Sequence, residues 1–202
     1  MRRYFMSEHQ NGLLVVLSGP SGVGKGTVCK KLNKDLLNME LSVSMTTRAP
    51  REGEVDGVNY HFVTEEQFQK AIDEDLFLEN APFVKNSYGT PLKPVVDWLA
   101  ENKTVVLEIE TNGARQVMEK RPDALTIFLL PPDMDELRKR ITKRGTESEE
   151  EIDRRMAKAA GEMELKNLYQ YNVINGDPDQ CARDIEDIIQ KERIRRGLVE
   201  AE

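Results

Sequence analysis

Residues 19–27 form a glycine-rich stretch with one lysine, the part of the sequence best suited to chemistry. They read Gly-Pro-Ser-Gly-Val-Gly-Lys-Gly-Thr and follow the apolar run 13–17 after a single serine. Backbone N–H groups freed by glycine can surround an anion, and the N-terminus of a following helix adds partial positive charge. Lys25 can reach the terminal phosphates of a nucleotide, and a hydroxyl nearby can hold Mg²⁺. The common pattern places that hydroxyl directly after the lysine, but Gly26 stands there, so the sequence predicts Thr27 for this role.

Two glutamates follow a second apolar run in the sequence. Glu108 and Glu110 follow residues 105–107 and are two positions apart, so on a strand both side chains point to one face. In a phosphate-binding protein an acidic residue at the end of a neighbouring strand commonly serves the magnesium ion. The alternative is a solvated strand end with two carboxylates that take no part in function.

Basic residues form a cluster later in the chain: Arg138, Lys139, Arg140, Lys143, Arg144, Arg154 and Arg155. On a helix, Arg140 and Arg144 share one face. Gly145 and the helix-capping patterns on either side indicate a mobile lid whose arginines close on phosphate charge. A single arginine can supply about 10³–10⁵ in rate for phosphoryl transfer. The alternative is an ordinary solvated helix surface.

A third group lies between residues 44 and 90. Arg48 and Arg51 are three apart in a stretch that proline and glycine keep from being helical. Their guanidinium groups match phosphate oxygens, and the hydroxyls of the same segment add single donors. These hydroxyl residues are Ser44, Tyr60, Tyr88 and Thr90. Together they suggest a second anion site for a second phosphorylated substrate, although each residue alone could be a surface side chain.

Glu79 is an acidic residue among these donors. A carboxylate can accept hydrogen bonds from N1–H and the N2 amino group of guanine together, whereas adenine offers no such pair of donors. The residue itself leaves open whether it meets such a base or is an ordinary surface side chain.

Apolar runs alternate with helical patterns along most of the chain, which predicts an α/β fold with a parallel sheet covered on both faces. The first helix is expected to continue through Val28, Leu32 and Leu36 on one face. Residues 86–90 are expected to form a turn-rich loop. The predicted strands are 13–17, 41–44, 58–63, 77–84 (a pair with a bend at Pro82), 104–110, 124–130 and 171–174. Later helices are predicted to start at Thr64, near Pro94, at Asn112, Asp133, Ser148 and Asp177.

Composition narrows the class of protein. The 202 residues carry a net charge of −7, which argues against a broad nucleic-acid surface. Cys29 and Cys181 are expected to be free thiols in a reducing cytoplasm. Residues 1–10 are polar and are not expected to be a signal peptide, and the apolar runs are too short to cross a membrane. The sequence therefore predicts a cytoplasmic protein with small-molecule partners.

The chain resembles the guanylate kinase family of nucleoside-monophosphate kinases. The matching stretches are Leu17-Ser-Gly-Pro-Ser-Gly-Val-Gly-Lys25, Ser42-Val-Ser-Met-Thr-Thr-Arg-Ala-Pro-Arg51, Gly53-Glu-Val-Asp-Gly57, Tyr88-Gly-Thr90, Leu107-Glu-Ile-Glu110 with Gly113, Pro131-Pro132 and Arg144-Gly-Thr-Glu147. The resemblance implies one domain over residues 11–202 after an extension of residues 1–10. Within it, a phosphate-loop core (11–43, 92–141 and 157–202) binds ATP, an insertion (44–91) binds GMP, and residues 142–156 form a helical lid.

The resemblance also implies roles for individual residues. ATP and Mg²⁺ would be held by Gly19, Pro20, Ser21, Gly22, Val23, Gly24, Lys25, Gly26, Thr27 and Asn175, with Thr27 on the metal and Asn175 near the adenine. GMP would be held by Ser44, Arg48, Arg51, Tyr60, Glu79, Tyr88, Thr90 and Glu110. The catalytic set would be Lys25, Arg51, Arg140, Arg144 and Arg155.

The sequence departs from the family pattern at four positions. Gly26 replaces a more usual serine, Ser87 a frequent tyrosine, Asn112 a frequent glutamine, and Glu110 an aspartate found in many relatives. Two alternatives remain open beside ATP:GMP phosphotransfer: a kinase for another nucleoside monophosphate, and a non-catalytic binding module of the same fold. The sequence leaves the oligomeric state open between monomer and homodimer.

Overall fold

The computed structural model describes residues 12–83, 85–142 and 148–200. Its strands, in chain order, are β1 (Leu13–Ser18), β2 (Met39–Leu41), β3 (Met45–Thr46), β4 (His61–Phe62), β5 (Phe77–Phe83), β6 (Asn86–Pro91), β7 (Thr104–Glu108), β8 (Leu125–Leu130) and β9 (Tyr171–Ile174). Its helices are α1 (Lys25–Cys29), α2 (Lys34–Leu37), α3 (Glu65–Asp73), α4 (Leu92–Ala100), α5 (Thr111–Lys120), α6 (Met134–Thr142), α7 (Glu149–Met163) and α8 (Pro178–Arg195), with a 3-10 helix at Glu164–Leu168.

Five strands form a parallel sheet in the order β2-β7-β1-β8-β9. Every residue of the central strand β1 is buried, as expected for a parallel strand covered on both faces. One face packs Val15 and Leu17 against residues of α1, α2 and α8, and the other packs Leu14 and Val16 against residues of α4 and α5. The predicted α/β class with helices on both faces is confirmed.

A second, mixed sheet is built from residues 45–91 in the order β4-β3-β6-β5. Strand β3 pairs parallel with β4 and antiparallel with β6, and β5 pairs antiparallel with β6. Phe68 and Ala71 of α3 pack against Phe77 of β5 to give this sheet a small apolar core of its own.

The predicted continuous helix after the glycine-rich stretch is wrong. Helix α1 ends at Cys29 and α2 starts at Lys34. Asn33 is in an extended conformation and its side chain accepts a hydrogen bond from Leu36 N at 3.0 Å, which makes it the cap of a new helix. Leu36 is half exposed rather than buried on a common face.

The prediction for residues 77–90 is also wrong. Residues 77–83 form one strand rather than a pair, and residues 86–91 form its antiparallel partner rather than a loop. Gly89 is buried in β6, where an added Cβ would lie 2.7 Å from Cε1 of Phe77. The glycine therefore allows close packing across the two strands and does not mark a turn.

Three other strands are shorter than predicted or displaced. The strand predicted for residues 104–110 ends at Glu108, and Glu110 instead caps α5. Residues 42–44 cross from β2 to β3 rather than forming a strand, and β4 covers only the His61–Phe62 part of residues 58–63. The side chain of Asn59 accepts a hydrogen bond from Val55 N, so the chain turns just before β4. The predicted helix caps at Thr64, Asp133, Ser148 and Asp177 are confirmed, each accepting a backbone N–H.

Cys29 and Cys181 are both buried and both free, as predicted. Among the described residues, the helices are all too short or too polar to cross a lipid bilayer.

Candidate active site

The glycine-rich loop lies between the carboxyl end of β1 and α1. Gly22 has φ 89°, and a Cβ there would lie 2.7 Å from Cγ1 of Ile141, so only glycine fits without strain. Val23 is fully buried, and its carbonyl accepts hydrogen bonds from Asn175 Nδ2 at 2.8 Å and Arg140 Nη1 at 3.2 Å. Two predicted site residues from distant parts of the chain thus contact the loop.

Lys25 is held on both sides at the start of α1. Its Nζ donates to the carbonyl of Gly19 at 2.8 Å and forms an ion pair with Oε1 of Glu110 at 3.1 Å. The ammonium group is therefore fixed beside the loop although the residue is only 8% exposed. Glu110 is the N-cap residue of α5, which joins the loop to the start of that helix.

Glu108 lies directly against the loop. A Cβ added at Gly26 would lie 3.2 Å from its Oε1, so the missing side chain at position 26 leaves room for this carboxylate. Burial raises the pKa of Glu108, and the positive charge of Lys25 opposes that rise. The unusual glycine after the lysine and the acidic strand end are therefore neighbours.

Near the glycine-rich loop, several side-chain oxygen atoms are of the type that Mg²⁺ takes as ligands. Mg²⁺ prefers oxygen ligands and is usually held by one or two carboxylates together with phosphates. Thr27 on α1 is exposed, Glu108 adjoins the loop, and Oε2 of Glu110 is buried without a hydrogen-bond partner among the described residues.

Two residues of helix α7 form hydrogen bonds with Ser21 of the glycine-rich loop. Arg155 donates from Nη2 to Oγ of Ser21 at 3.1 Å, and the N–H of Ser21 donates to Oε2 of Glu162 at 3.1 Å. Glu162 is only 6% exposed, and sequence reasoning missed it. Its spacing of seven from Arg155, on the same helix face, was a signal that could have found it.

The basic cluster divides into two parts. Arg140 and Arg155 reach the loop, whereas Arg138 pairs with Asp153 and Glu149 across α6 and α7, at 2.7 Å each. Arg144 lies outside the described residues, as does the rest of segment 143–147.

A second polar cluster lies on the four-stranded sheet. Arg48 donates to Oε1 of Glu54 at 2.8 Å and lies 5.4 Å from the centre of the Tyr60 ring. Oε2 of Glu54 accepts from the backbone N–H of Arg51 at 2.7 Å, while the Arg51 residue is exposed. The hydrogen bond to Glu54 raises the pKa of Arg48, so the guanidinium stays charged. Tyr88 packs edge-on against Tyr60, with ring centres 5.9 Å apart.

Glu79 is buried on β5 beside Thr90 of β6. Its Oε1 accepts from Oγ1 of Thr90 at 2.6 Å. Burial raises the pKa of Glu79, and the bond from Thr90 opposes the rise. A Cβ at Gly113 of α5 would overlap Oε2 of Glu79, so any larger residue there would have to displace this carboxylate. Ser44, just before β3, is partly buried, and its carbonyl accepts from His61 N at 2.9 Å.

The two clusters are close enough for their charges to interact. Burial, and after it the negative charge of Glu108, raises the pKa of Tyr60 to about 12. Tyr60 therefore keeps its hydroxyl proton at neutral pH and can donate a hydrogen bond. Glu108, beside the glycine-rich loop, is thus the group of the first sheet whose charge acts on the arginine–tyrosine cluster.

Comparison with known proteins identifies the family. The guanylate kinase family model matches residues 11–192. The chain is similar to the crystal structure of guanylate kinase from Anaplasma phagocytophilum, with 32% identity, a TM-score of 0.75, and coverage of 94% of this chain and 97% of that chain. It also matches the SH3-kinase fragment of tight junction protein 3 at 12% identity and a TM-score of 0.48, over 90% of this chain and 57% of that one.

The fold and the loop define a nucleotide-binding kinase of the phosphate-loop type. With a family model that spans most of its length, the chain belongs to the guanylate kinase family.

Proposed function

We propose that this chain transfers the γ-phosphoryl group of ATP to GMP, giving ADP and GDP, with Mg²⁺ as the metal. The reaction would serve purine nucleotide metabolism and GMP recycling. Two free cysteines fit a reducing compartment such as the cytoplasm. The observation that carries the proposal is the pairing of a lysine-bearing phosphate loop with a second cluster that combines arginines and a buried carboxylate.

On the donor side, the loop and Lys25 would hold the ATP phosphates, and Asn175 would lie near the adenine. Lys25 is already fixed by Gly19 and Glu110, so it would not need to be ordered when ATP binds. Arg140 and Arg155 already contact the loop and would neutralise charge on the transferred group. Arg144 is proposed for the same role from its place in the sequence.

On the acceptor side, the phosphate of GMP would be held by Arg48, Arg51, Tyr60 and Tyr88. Arg51 supports this role because its side chain is exposed while its backbone is fixed by Glu54. Ser44, Glu79 and Thr90 would read the guanine. Glu79 has one oxygen bonded to Thr90, which orients the carboxylate for the two guanine donors.

The chemical step would be an in-line attack. An oxygen of the GMP phosphate forms a bond to the γ-phosphorus while the bond from that phosphorus to the β–γ bridging oxygen breaks, and ADP leaves. The attacking phosphate has a second pKa of about 6, so it is largely ionised at pH 7 and needs no general base. The residues would act by alignment, exclusion of water and neutralisation of charge.

Thr27, Glu108 and Glu110 would hold Mg²⁺ directly or through water. The ion would neutralise phosphate charge and fix the geometry of the ATP phosphates.

The non-catalytic alternative is less well supported. A binding module of this fold has no need for a lysine fixed at the phosphate loop, yet Lys25 has two partners here. It also has no need for Arg155 on the loop.

A coupled assay of ADP production tests the proposal. GMP, AMP, CMP and UMP are offered separately with ATP, with and without Mg²⁺. We expect turnover with GMP that depends on Mg²⁺ and little with the others. Comparable turnover with AMP or UMP would overturn the assignment of Glu79 to guanine, and no turnover with any of them would favour a binding module.

A further inference from the structure

Three residues on one face of α5 surround Glu79 on the neighbouring sheet. Gly113, Gln116 and Lys120 are spaced three and four apart, so they lie along a single side of the helix. Each contacts one of the consecutive residues 78–80 of β5 or its side chain. The two sheets are therefore joined at the position of the buried carboxylate.

Gln116 binds the backbone of Asn80, the residue after Glu79. Its Nε2 donates to the carbonyl of Asn80 at 2.7 Å, and its Oε1 accepts from the N–H of Asn80 at 3.3 Å. The carboxamide thus satisfies both polar groups of one residue, as a neighbouring strand would. This fixes the peptide orientation immediately after Glu79.

Lys120 binds the backbone on the other side. Its Nζ donates to the carbonyl of Leu78 at 2.6 Å, and Leu78 is almost fully buried. The positive charge of Lys120 also acts on Glu79 and opposes the effect of burial on its pKa. Residue 79 is consequently held from both neighbours while Gly113 leaves space for its carboxylate.

We propose that Gln116 and Lys120 are positioning residues that set selectivity for guanine by fixing the backbone on both sides of Glu79. The inference rests on the proposed function, because it assumes that Glu79 reads the base. On this proposal, selectivity for guanine at the four-stranded sheet depends in part on α5, a helix that packs on the five-stranded sheet. The N-cap residue of that helix is Glu110, the partner of Lys25, so a single element connects the proposed donor and acceptor groups.

The test compares GMP with inosine monophosphate, which keeps N1–H but lacks the 2-amino group. The variants are Gln116→Met, which preserves side-chain length, and Lys120→Met, which is one atom shorter; both remove the hydrogen bonds. Arg115→Ala is the matched control, because Arg115 lies on the same helix, is exposed and pairs only loosely with Glu119 at 3.8 Å. For each protein, kcat/KM is measured with both monophosphates, KM is measured for ATP, and Tm is recorded.

In both methionine variants we expect kcat/KM for GMP to fall about tenfold, the scale of one weakened hydrogen bond to a charged group. The fall for inosine monophosphate should be much smaller, and KM for ATP should not change. Arg115→Ala should match the wild-type protein in every measurement.

If kcat/KM falls equally for both monophosphates, or if their ratio of kcat/KM stays as in the wild-type protein and only Tm falls, the proposal is overturned. The two residues would then have a structural role only. If Gln116→Met does not fold, the ratio measured for Lys120→Met decides. Failure of the proposed function itself is distinct, because the wild-type protein would then show no turnover of GMP.

Discussion

The five-stranded sheet and the four-stranded sheet hold their functional groups in different ways. At the first sheet, backbone carbonyls of the loop accept from three proposed site residues: Gly19 O from Lys25, and Val23 O from Arg140 and Asn175. Side-chain contacts add to these, between Lys25 and Glu110 and between Arg155 and Ser21. At the second sheet, side chains hold other side chains, as Glu54 holds Arg48 and Thr90 holds Glu79. The difference means that the proposed donor groups depend on the fold of the loop, whereas the acceptor groups depend on individual partners.

Replacing Lys25 tests the donor half alone. Lys25→Met removes the charge at the phosphate loop and leaves the second sheet untouched. We expect kcat to fall by about 10²–10³-fold, the scale for losing one fixed donor to transition-state charge. Calorimetric titration should still detect GMP binding. Loss of GMP binding together with turnover would contradict the separation of the two halves.

Replacing Arg51 is the reverse experiment on the second sheet. Arg51→Ala should lower kcat/KM for GMP by about 10–100-fold, because a charge-assisted bond to phosphate is lost. ATP binding should not change. Glu52→Gln in the same exposed loop is the control and should behave as wild type. A GMP dependence equal to that of the wild-type protein would remove Arg51 from the acceptor site.

The buried carboxylate of Glu79 is expected to lower the stability of the second sheet, although it is proposed to bind the guanine base. Burial raises the pKa of Glu79, so the folded chain binds more protons than the unfolded chain between the ordinary carboxyl pKa and the raised one. Stability therefore falls as pH rises through that interval, and the full cost is present above it. Glu79→Gln removes this cost and should raise Tm at pH 8 by roughly 2–4 °C for each kcal/mol recovered.

The same variant should show little gain in Tm near pH 4.5 and should lose its preference for GMP. Melting curves across pH 4.5–8 provide the measurement, with Glu119→Gln on the exposed side of α5 as the control. A Tm gain that is independent of pH would contradict the titration of Glu79 as its cause.

Replacing Arg138 is expected to change turnover and Tm less than any of the other substitutions. Its two ion pairs, with Glu149 and Asp153, join exposed groups between α6 and α7, and such pairs contribute little to stability. Arg138→Met is expected to keep wild-type turnover and to shift Tm by less than about 2 °C. A large loss of turnover would place this residue in the site with Arg140 and Arg155.

The buried sheet was easier to predict from sequence than the second sheet, for a physical reason. Strands such as β1 and β8 are buried on both faces, so their sequences are continuous apolar runs bounded by turns. In β6 the residues are polar, and Gly89 serves packing against Phe77, so the local pattern resembled a loop. Pairing with β5 over six residue pairs forms that strand, and pairing is not a local property.

The residues of the candidate site also differ in how well the sequence predicts them. Groups that would touch nucleotides follow spaced motifs, and the structure brings Lys25, Arg140, Arg155 and Asn175 to one loop. Groups that position others were missed, among them Glu54, Gln116 and Glu162. Gln116 and Glu162 bind groups 36 and 141 residues away, which only the folded chain brings near. The partners of Glu54 are close in sequence, but a single carboxylate in a loop does not indicate which groups it will bind.

The bond between Glu162 and the loop has a consequence for how this part of the chain can diverge. The carboxylate accepts from the backbone N–H of Ser21, which every amino acid except proline supplies. Arg155 instead needs the hydroxyl of that residue. A substitution of Ser21 by any residue except proline would therefore keep the backbone contact with α7 and lose only the bond to Arg155, whereas a substitution of Glu162 would remove the backbone contact itself.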